Sequence, residues 1–195
     1  MNISIKGLTK RYREKEIFDG ASFFIESEKT TAIMGKSGIG KTTLIKILMG
    51  LEKYDSGNIE GLKGKKVAAV FQEDRLCENL SPVTNVLIVC EKRITAERIR
   101  GELAEIGLGD SADKPVRELS GGMKRRVAIV RSIMADSDIL ILDEPFKGLD
   151  QETKNRVIDY LKKRIGEKTV ILVTHDIGEA KIFNSNIIDI KEENK

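Results

Sequence analysis

A glycine-rich segment at positions 35–42, GKSGIGKT, has the spacing of a phosphate-binding loop. Its glycines allow unusual backbone angles and close approach, so several N–H groups can point at phosphate oxygens. A helix is expected after the loop and would add the positive end of its dipole. We expect Lys41 to reach the β- and γ-phosphates of a nucleotide and the Thr42 hydroxyl to ligate magnesium. The predicted phosphate-binding residues are Gly35, Lys36, Ser37, Gly38, Ile39, Gly40, Lys41, Thr42 and Thr43.

Two adjacent carboxylates, Asp143 and Glu144, end the apolar run at 139–142. They are poor candidates for core filler, because a buried charge is costly unless it is paired or bound to a metal. In other phosphate-loop enzymes a carboxylate at the end of such a strand holds magnesium. We therefore expect Asp143 to hold the ion through water, and Pro145 to turn the chain away.

A second candidate anion site lies at 119–123, which reads LSGGM. Ser120, Gly121 and Gly122 are predicted to open a helix, so they offer a hydroxyl, N–H groups and a helix dipole to an anion. The chain already has a phosphate loop for a nucleotide of its own, so this second element needs another explanation. The charge run Lys124-Arg125-Arg126 that follows is expected to be a solvated helix face.

Hydrophobic spacing predicts an alternation of strands and helices, which favours a mostly parallel sheet covered on both faces. The predicted strands lie at 3–5, 21–25, 30–34, 67–71, 139–142, 169–174 and 186–190. The predicted helices lie at 41–51, from Pro82 after a Ser81 cap, at 95–106, at 122–135 and at 151–164 after an Asp150 cap. A turn is predicted at 55–57. No strand is evident between Gln72 and Leu119, so residues 73–119 are expected to form a helical lobe.

The size and composition favour one domain covering 1–195. The net charge of +3 indicates no strong nucleic-acid footprint, so no nucleic-acid partner is expected. No apolar run approaches the length of roughly 18 residues that a membrane span needs, and no signal segment is evident. The two cysteines, Cys77 and Cys90, lack C-x-x-C spacing and are expected to be free thiols.

These motifs together resemble the ATP-binding subunit of an ABC (ATP-binding cassette) transporter. The resemblance is carried by the segments at 35–42, 119–123 and 139–144, and it extends from about Ile3 to Ile190. It implies an α/β fold: a phosphate-loop NTPase core with a mostly parallel sheet, an antiparallel β side sheet and an inserted helical subdomain at about 73–119. The cofactors that it implies are ATP and Mg²⁺.

The resemblance also implies roles for individual side chains. Glu144 matches the base that polarises the attacking water, and His175 matches the switch histidine that contacts the γ-phosphate. Gln72 matches the glutamine that senses magnesium and water. Tyr12 matches the aromatic residue that stacks on adenine through its π-face. His175 and Gln72 both follow predicted strands, where α/β folds place ligands.

A further implication is that one chain forms only half of each site. In the family two copies lie head to tail, and each ATP is held between the phosphate loop of one chain and the Ser-Gly-Gly of the other. Asp150 matches the loop that crosses this interface. Met123 stands where the most frequent version has glutamine, which leaves the serine and glycine contacts in place.

The function implied by the resemblance is an ATPase subunit that drives a membrane transporter, most similar to importers of the nitrate, sulfonate and taurine type. Such a subunit would sit in the cytoplasm on the inner face of the membrane, bound to integral-membrane permease subunits and served by an extracellular solute-binding protein. One alternative is a non-transport ATPase of the same superfamily, acting in DNA repair or on ribosomes. Another is a nucleotide-binding regulator without hydrolysis, which the presence of Glu144 and His175 disfavours.

Overall fold

A computed structural model describes residues 2–13 and 15–191. In chain order the strands are β1 (Ile3–Tyr12), β2 (Lys15–Ile25), β3 (Thr30–Met34), β4 (Ser56–Glu60), β5 (Val67–Val70), β6 (Ile139–Asp143), β7 (Thr169–Val173) and β8 (Asn186–Asp189). The helices are α1 (Lys41–Leu48), α2 (Pro82–Leu87), α3 (Ala96–Glu105), α4 (Gly121–Met134), α5 (Gln151–Arg164) and α6 (Ile177–Ile182). Two short 3-10 helices cover Gly109–Ser111 and Val116–Glu118.

The chain divides into two compact units. The first holds the chain up to Val67 together with the part that begins at Glu167, and the second holds Ala68–Gly166. The prediction of a single domain over 1–195 stays a prediction. The sequence also predicts a polar tail at 191–195, of which only Lys191 lies within the described residues.

The first unit contains a three-stranded antiparallel sheet in the order β2-β1-β4. Ile3, Ile5 and Leu8 of β1 are buried, so the early strand predicted from the alternation at 3–5 is confirmed and extends to Tyr12. The turn predicted at 55–57 is wrong, because β4 begins at Ser56. This strand is mostly exposed and lacks an apolar alternation, and its pairing with β1 defines it. The antiparallel side sheet is thereby confirmed.

A parallel sheet completes the first unit, with β3 paired to β7 on one side and to β8 on the other. The three strands begin at the predicted residues, and each ends within one residue of the predicted end. Their buried residues include Ala32, Ile33, Ile171 and Leu172. The mostly parallel sheet is confirmed here. Helix α6 was not predicted, because a segment of 6 residues is too short to show a clear helical period.

The second unit combines strands β5 and β6, which are neighbours, with helices α2 to α5. All residues from 73 to 119 are described, and they contain helices and no strand, as the sequence predicts. Side-chain caps define the helix starts: Ser81 accepts a hydrogen bond from the Thr84 N–H, and Asp150 accepts one from the Thr153 N–H. Both caps confirm the sequence prediction. Among the described residues, no helix is long and apolar enough to cross a membrane.

Candidate functional site

The loop between β3 and α1 requires glycine at two of its three glycine positions for steric reasons. Gly35 has φ +139°, and a Cβ atom there would lie 2.6 Å from the carbonyl oxygen of Ile190. Gly40 has φ +122°, and its Cβ would lie 2.7 Å from Ile17 Cγ2. A larger residue at Gly35 would therefore displace the loop from the segment after β8, and one at Gly40 would displace it from the side sheet. The glycines predicted from the motif hold the loop close against its own unit.

Lys41 hydrogen-bonds to the backbone at the start of the loop. Its Nζ donates hydrogen bonds to the carbonyl oxygens of Gly35 at 2.7 Å and of Lys36 at 2.9 Å. An ammonium group has three N–H donors, so one more donor remains for an anion. Helix α1 begins at Lys41, and its N-cap, Gly40, provides no side-chain cap. The N–H groups of the first turn and the positive end of the helix dipole therefore lie at the loop, which suits a phosphate.

Tyr12 is anchored at the end of β1 and is 41% exposed. The Lys10 ammonium lies 4.5 Å from its ring centroid and pairs with Glu52 at 2.7 Å. Partial burial and a hydrogen bond to Glu52 raise the pKa of the Tyr12 hydroxyl, while a second hydrogen bond to Thr43 lowers it. The structure thus brings Tyr12 to the first turn of α1, with Lys10 over one face of its ring.

His175 follows β7 at the same edge of the parallel sheet as the phosphate loop, because β3 and β7 are parallel neighbours. It is exposed, and a buried pair supports the turn that carries it. The Thr174 hydroxyl hydrogen-bonds to the Glu179 carboxylate and accepts a 3.0 Å bond from the Asp176 N–H. The sequence reasoning did not single out Thr174 and Glu179, although both lie within four residues of the histidine.

In the second unit the structure brings Gln72 and Glu144 together. The Gln72 Nε2 lies 3.3 Å from Glu144 Oε2, and the Lys147 Nζ lies 3.1 Å from the same oxygen. Asp143, the last residue of β6, is 4% exposed. Glu144 has φ +48°, a conformation that is uncommon for a residue with a side chain and that clusters at functional sites. Lys147, which a tight turn brings back to Glu144, is a contact that the sequence analysis missed.

Ser120 caps α4, its Oγ accepting a hydrogen bond from the Met123 N–H at 3.3 Å. Gly122 lies against the turn before α5, since a Cβ on it would be 3.3 Å from Leu149 Cδ2 and 3.6 Å from the Gly148 carbonyl oxygen. The Ser-Gly-Gly element and the turn that leads to Asp150 are therefore adjacent. Hydrogen bonds from the N–H and hydroxyl of Thr153 hold the pKa of Asp150 below its usual value.

The charge run after Ser-Gly-Gly is not a solvated face, so that prediction is wrong. Arg125 is 6% exposed and bonds to backbone carbonyls of residues 71 and 72. Lys124 pairs with Glu78 at 3.0 Å, and Arg126 donates to the Ile106 carbonyl at 2.8 Å. A run of like charges normally indicates solvent exposure, and the partners lie up to 54 positions away, beyond the reach of a local pattern.

The residues predicted to hold magnesium offer a suitable donor set. Thr42 supplies an exposed hydroxyl in the first turn of α1, and Asp143 supplies a carboxylate. Gln72 directs its amide nitrogen at Glu144, which leaves its carbonyl oxygen as the group to face a cation. Within the described residues no group of three or more His, Cys, Asp or Glu could hold a metal. Hydroxyl, carboxylate and amide oxygens are hard donors, the ligand chemistry that Mg²⁺ prefers.

Comparison with known proteins agrees with this geometry. The family described as "ABC transporter" matches residues 18–147. An aliphatic sulfonates import ATP-binding protein of Mesorhizobium japonicum is 38% identical over 189 residues, which cover 95% of this chain and 76% of that protein. A protein of the same description from Streptomyces avermitilis is 33% identical over 189 residues, covering 95% of this chain and 75% of that protein.

Solved structures of ATP-binding cassettes are similar to this chain. The ATP-binding cassette MJ0796, a dimer in a post-hydrolysis state bound to ADP and Pi, superposes with a TM-score of 0.84 at 26% identity, covering 97% of this chain and 94% of that one. A bacterial Atm1-family ABC exporter with ATP bound gives 0.83 at 24% identity over 97% of this chain and 37% of that chain, which shows the fold alone. The chain belongs to the ABC transporter family, as an ATP-binding and ATP-hydrolysing cassette homologous to importer subunits.

Proposed function

We propose that ATP hydrolysis by this cassette drives the import of a small solute through a separate membrane permease, and that Glu144 is the base of the reaction. The contact between Gln72 Nε2 and Glu144 Oε2 carries the assignment of the base. It ties the glutamine that follows one strand to the carboxylate that follows the neighbouring strand. A carboxylate held in this way keeps its position when it accepts a hydrogen bond from water.

The roles proposed for the other residues follow from their chemistry. The backbone N–H groups of residues 35–43 and the Lys41 ammonium bind the triphosphate, and Tyr12 stacks on the base. Glu144 orients a water and accepts its proton as the bond to the γ-phosphorus forms and the bond to the β-phosphate oxygen breaks. His175 donates a hydrogen bond to the γ-phosphate. Thr42, Asp143 and Gln72 would hold a magnesium ion, which would neutralise charge at the phosphates.

The Glu144→Gln variant tests the base. It keeps the size of the side chain but cannot accept a proton, so turnover is expected to fall at least ~100-fold, the usual scale for loss of a general base. Mg-ATP binding, measured by calorimetry, should stay close to that of the parent. Glu118→Gln, a matched change at an exposed position, is the control and should retain turnover. Near-normal turnover in Glu144→Gln would remove Glu144 from this role.

The permease is proposed to dock on the helical lobe at 73–119. Apolar side chains at the end of α2 are unusually exposed: Leu87 is 41% exposed, Ile88 is 62% and Val89 is 40%. An exposed apolar patch of this kind is typical of an interaction surface. The partner would carry the cassette to the cytoplasmic face of the membrane, and an extracellular solute-binding protein would deliver cargo to it. Relatives are described as importing aliphatic sulfonates, and a small anionic solute of that class is the first cargo to test.

Cysteine cross-linking tests the docking surface. Cys77 is exposed in the lobe, whereas the Cys90 thiol is half-buried and hydrogen-bonded to the Val86 carbonyl, and burial raises its pKa. A Cys90→Ser protein therefore carries one reactive thiol. Co-expressed with a candidate permease, this protein should cross-link to it through Cys77. Cross-linking confined to a Glu167→Cys control in a cysteine-free background would contradict docking on the lobe.

A further inference from the structure

Helix α4 directs two arginines at one short segment, residues 71–75, which carries Gln72. The guanidinium of Arg125 donates to the carbonyl oxygens of Phe71 and Gln72, and its Nε lies 3.3 Å from Asp74 Oδ1. Six residues further along the helix, Arg131 donates to the Asp74 carbonyl at 3.0 Å and to the Arg75 carbonyl at 2.8 Å. The segment is therefore fastened to α4 through the backbone carbonyls of four of its five residues, all except residue 73.

Arg125 is the central contact of this arrangement. Its side chain is only 7% exposed, so its charge is largely removed from water. Such burial is costly unless the group is fully hydrogen-bonded, and the planar guanidinium satisfies this need by donating to two adjacent carbonyls at once. Neither a lysine nor a glutamine can reproduce this fork. The carbonyl of Gln72 is consequently fixed in direction as well as in position.

The side chain of Gln72 continues this connection to the reacting groups. Its backbone carbonyl accepts from Arg125, and its side-chain amide donates to Glu144 Oε2 at 3.3 Å. Arg125, Gln72 and Glu144 therefore form a hydrogen-bonded relay within one compact unit. If the backbone of Gln72 were free to rotate, its amide would no longer be held against Glu144. A misplacement of about 1 Å near reacting atoms can lower the rate ~100-fold.

We propose that Arg125 is a positioning residue for Gln72, and through Gln72 for Glu144. Arg125 lies five residues after the Ser120 cap, about 7–8 Å along the helix axis. A displacement of the Ser-Gly-Gly end of α4 is thus carried by a rigid helix to the Gln72 segment. This inference rests on the proposed function, because it assumes that Gln72 and Glu144 take part in hydrolysis.

A double-mutant cycle on the full chain tests the proposal. Arg125→Gln should lower kcat about 10- to 100-fold, the scale of a small misplacement. The KM for ATP should change less than about threefold, because the phosphate loop belongs to the other compact unit and uniform binding is left intact. In a Gln72→Ala background, Arg125→Gln should have little further effect on kcat, since the residue through which it acts is already gone.

Arg126→Gln is the matched control. Arg126 lies beside Arg125 and also donates to backbone carbonyls, those of Ile106, Gly107 and Gly122, none of which belongs to the Gln72 segment. The fold-change in kcat caused by Arg126→Gln, whether large or small, should multiply with the fold-change caused by Gln72→Ala in the double mutant. Arg125→Lys, which keeps the charge but not the fork, should recover only part of the lost kcat. It also provides the test if thermal melting shows that Arg125→Gln does not fold.

The outcomes separate this inference from the function on which it rests. If Gln72→Ala lowers kcat, and the fold-reductions caused by Gln72→Ala and by the Arg125 substitution multiply in the double mutant, the relay is wrong and the role of Gln72 survives. Full recovery of kcat by Arg125→Lys would also overturn the relay, because charge alone would then suffice. If Gln72→Ala turns over like the parent, both the role of Gln72 and the relay are overturned.

Discussion

Two cationic side chains in this protein are held in place by hydrogen bonds to backbone carbonyls. Lys41 spans the phosphate loop by donating to Gly35 and Lys36, and Arg125 does the same to Phe71 and Gln72. A cation that is pre-positioned in this way loses less conformational freedom when it meets its anionic partner. Binding energy can therefore be directed to the phosphates.

Lys41→Ala should weaken ATP binding about 10- to 100-fold, because a charge-assisted hydrogen bond contributes roughly 1.5–3 kcal/mol. The variant also loses the ammonium that joins the two loop carbonyls, so the effect should fall at the upper end. Lys63→Ala removes the same charge at an exposed position in the same unit and serves as the control. Calorimetry showing unchanged ATP affinity in Lys41→Ala would contradict the assignment of the phosphate loop.

The sequence predicts the chemical groups of the candidate site better than it predicts their supports. Motif spacing predicts Lys41 and Ser120 as anion-binding groups, and the family resemblance predicts the role of Glu144. Arg125 escapes this reasoning, since its partners become neighbours only after the chain has folded, and Lys147 escapes it because a lysine three residues from a carboxylate has no distinctive pattern. A charged residue has the same local pattern whether it is solvated or clamped onto a backbone.

Among the elements, long periodic segments and capped helices follow directly from the sequence. Helix α5 has the predicted bounds, and the Asp150 cap fixes its start. Strand β4 was missed because only its pairing with β1 defines it. At Gly57 in this strand φ is +116°, and a Cβ there would lie 2.7 Å from the Gly7 carbonyl oxygen. The glycine that suggested a turn in the sequence therefore allows β4 to lie close to β1.

Helices α3 and α5 are joined by a buried carboxylate whose ionisation should be visible in the stability of the protein. Glu102 is 3% exposed and accepts hydrogen bonds from the Tyr160 hydroxyl at 3.0 Å and the Arg164 Nε at 2.9 Å. Burial alone would raise the pKa of Glu102, but the bonds from Arg164 and Tyr160 outweigh it and lower the pKa. Burial and the nearby Glu102 charge raise the pKa of Tyr160, so its hydroxyl stays a donor.

Glu102→Gln should lower the free energy of unfolding at pH 7 by about 3 kcal/mol, because it removes the charge that compensates Arg164. The folded pKa of Glu102 lies below its unfolded value. Its contribution is therefore fully present above the unfolded pKa of about 4.3 and is lost as the pH falls through the folded pKa. Urea unfolding at pH 7 and in acid should show the two proteins converging as the pH falls.

The control for this prediction is Glu97→Gln on the same helix. Glu97 has a side chain that is 88% exposed and lies 3.7 Å from Arg100, so its removal should change the unfolding curve little at either pH. A difference between the parent and Glu102→Gln that stays constant across the pH range would show that the Glu102 charge does not contribute in this way.

At the scale of the whole molecule, the family resemblance of Ser-Gly-Gly and of the turn that leads to Asp150 predicts association driven by ATP. Ser120 of one copy is expected to complete the γ-phosphate site of another. ATP would then bind the dimer better than the monomer, and mass action would shift the population toward dimer. ADP lacks the γ-phosphate and should not have this effect.

Light scattering on Glu144→Gln in saturating Mg-ATP should show a dimer, since hydrolysis no longer reverses closure. Adding Ser120→Arg should abolish the dimer, because a long cation would fill the space meant for the γ-phosphate. Ser56→Arg, an exposed position on the edge strand β4, is the matched control and should leave dimerisation intact. A Glu144→Gln sample that stays monomeric at high protein concentration would contradict closure by nucleotide alone.

The left-handed backbone at Glu144 places stability and activity in opposition at one position. A residue with a Cβ atom at φ +48° is disfavoured by about 1–2 kcal/mol, whereas glycine adopts this conformation freely. Glu144→Gly should therefore melt at a higher temperature than Glu144→Ala, although both lack the carboxylate. If the two melt alike, the backbone at this position carries no strain. If they differ as expected, selection for a rugged fold would favour glycine here, and only selection for hydrolysis retains glutamate.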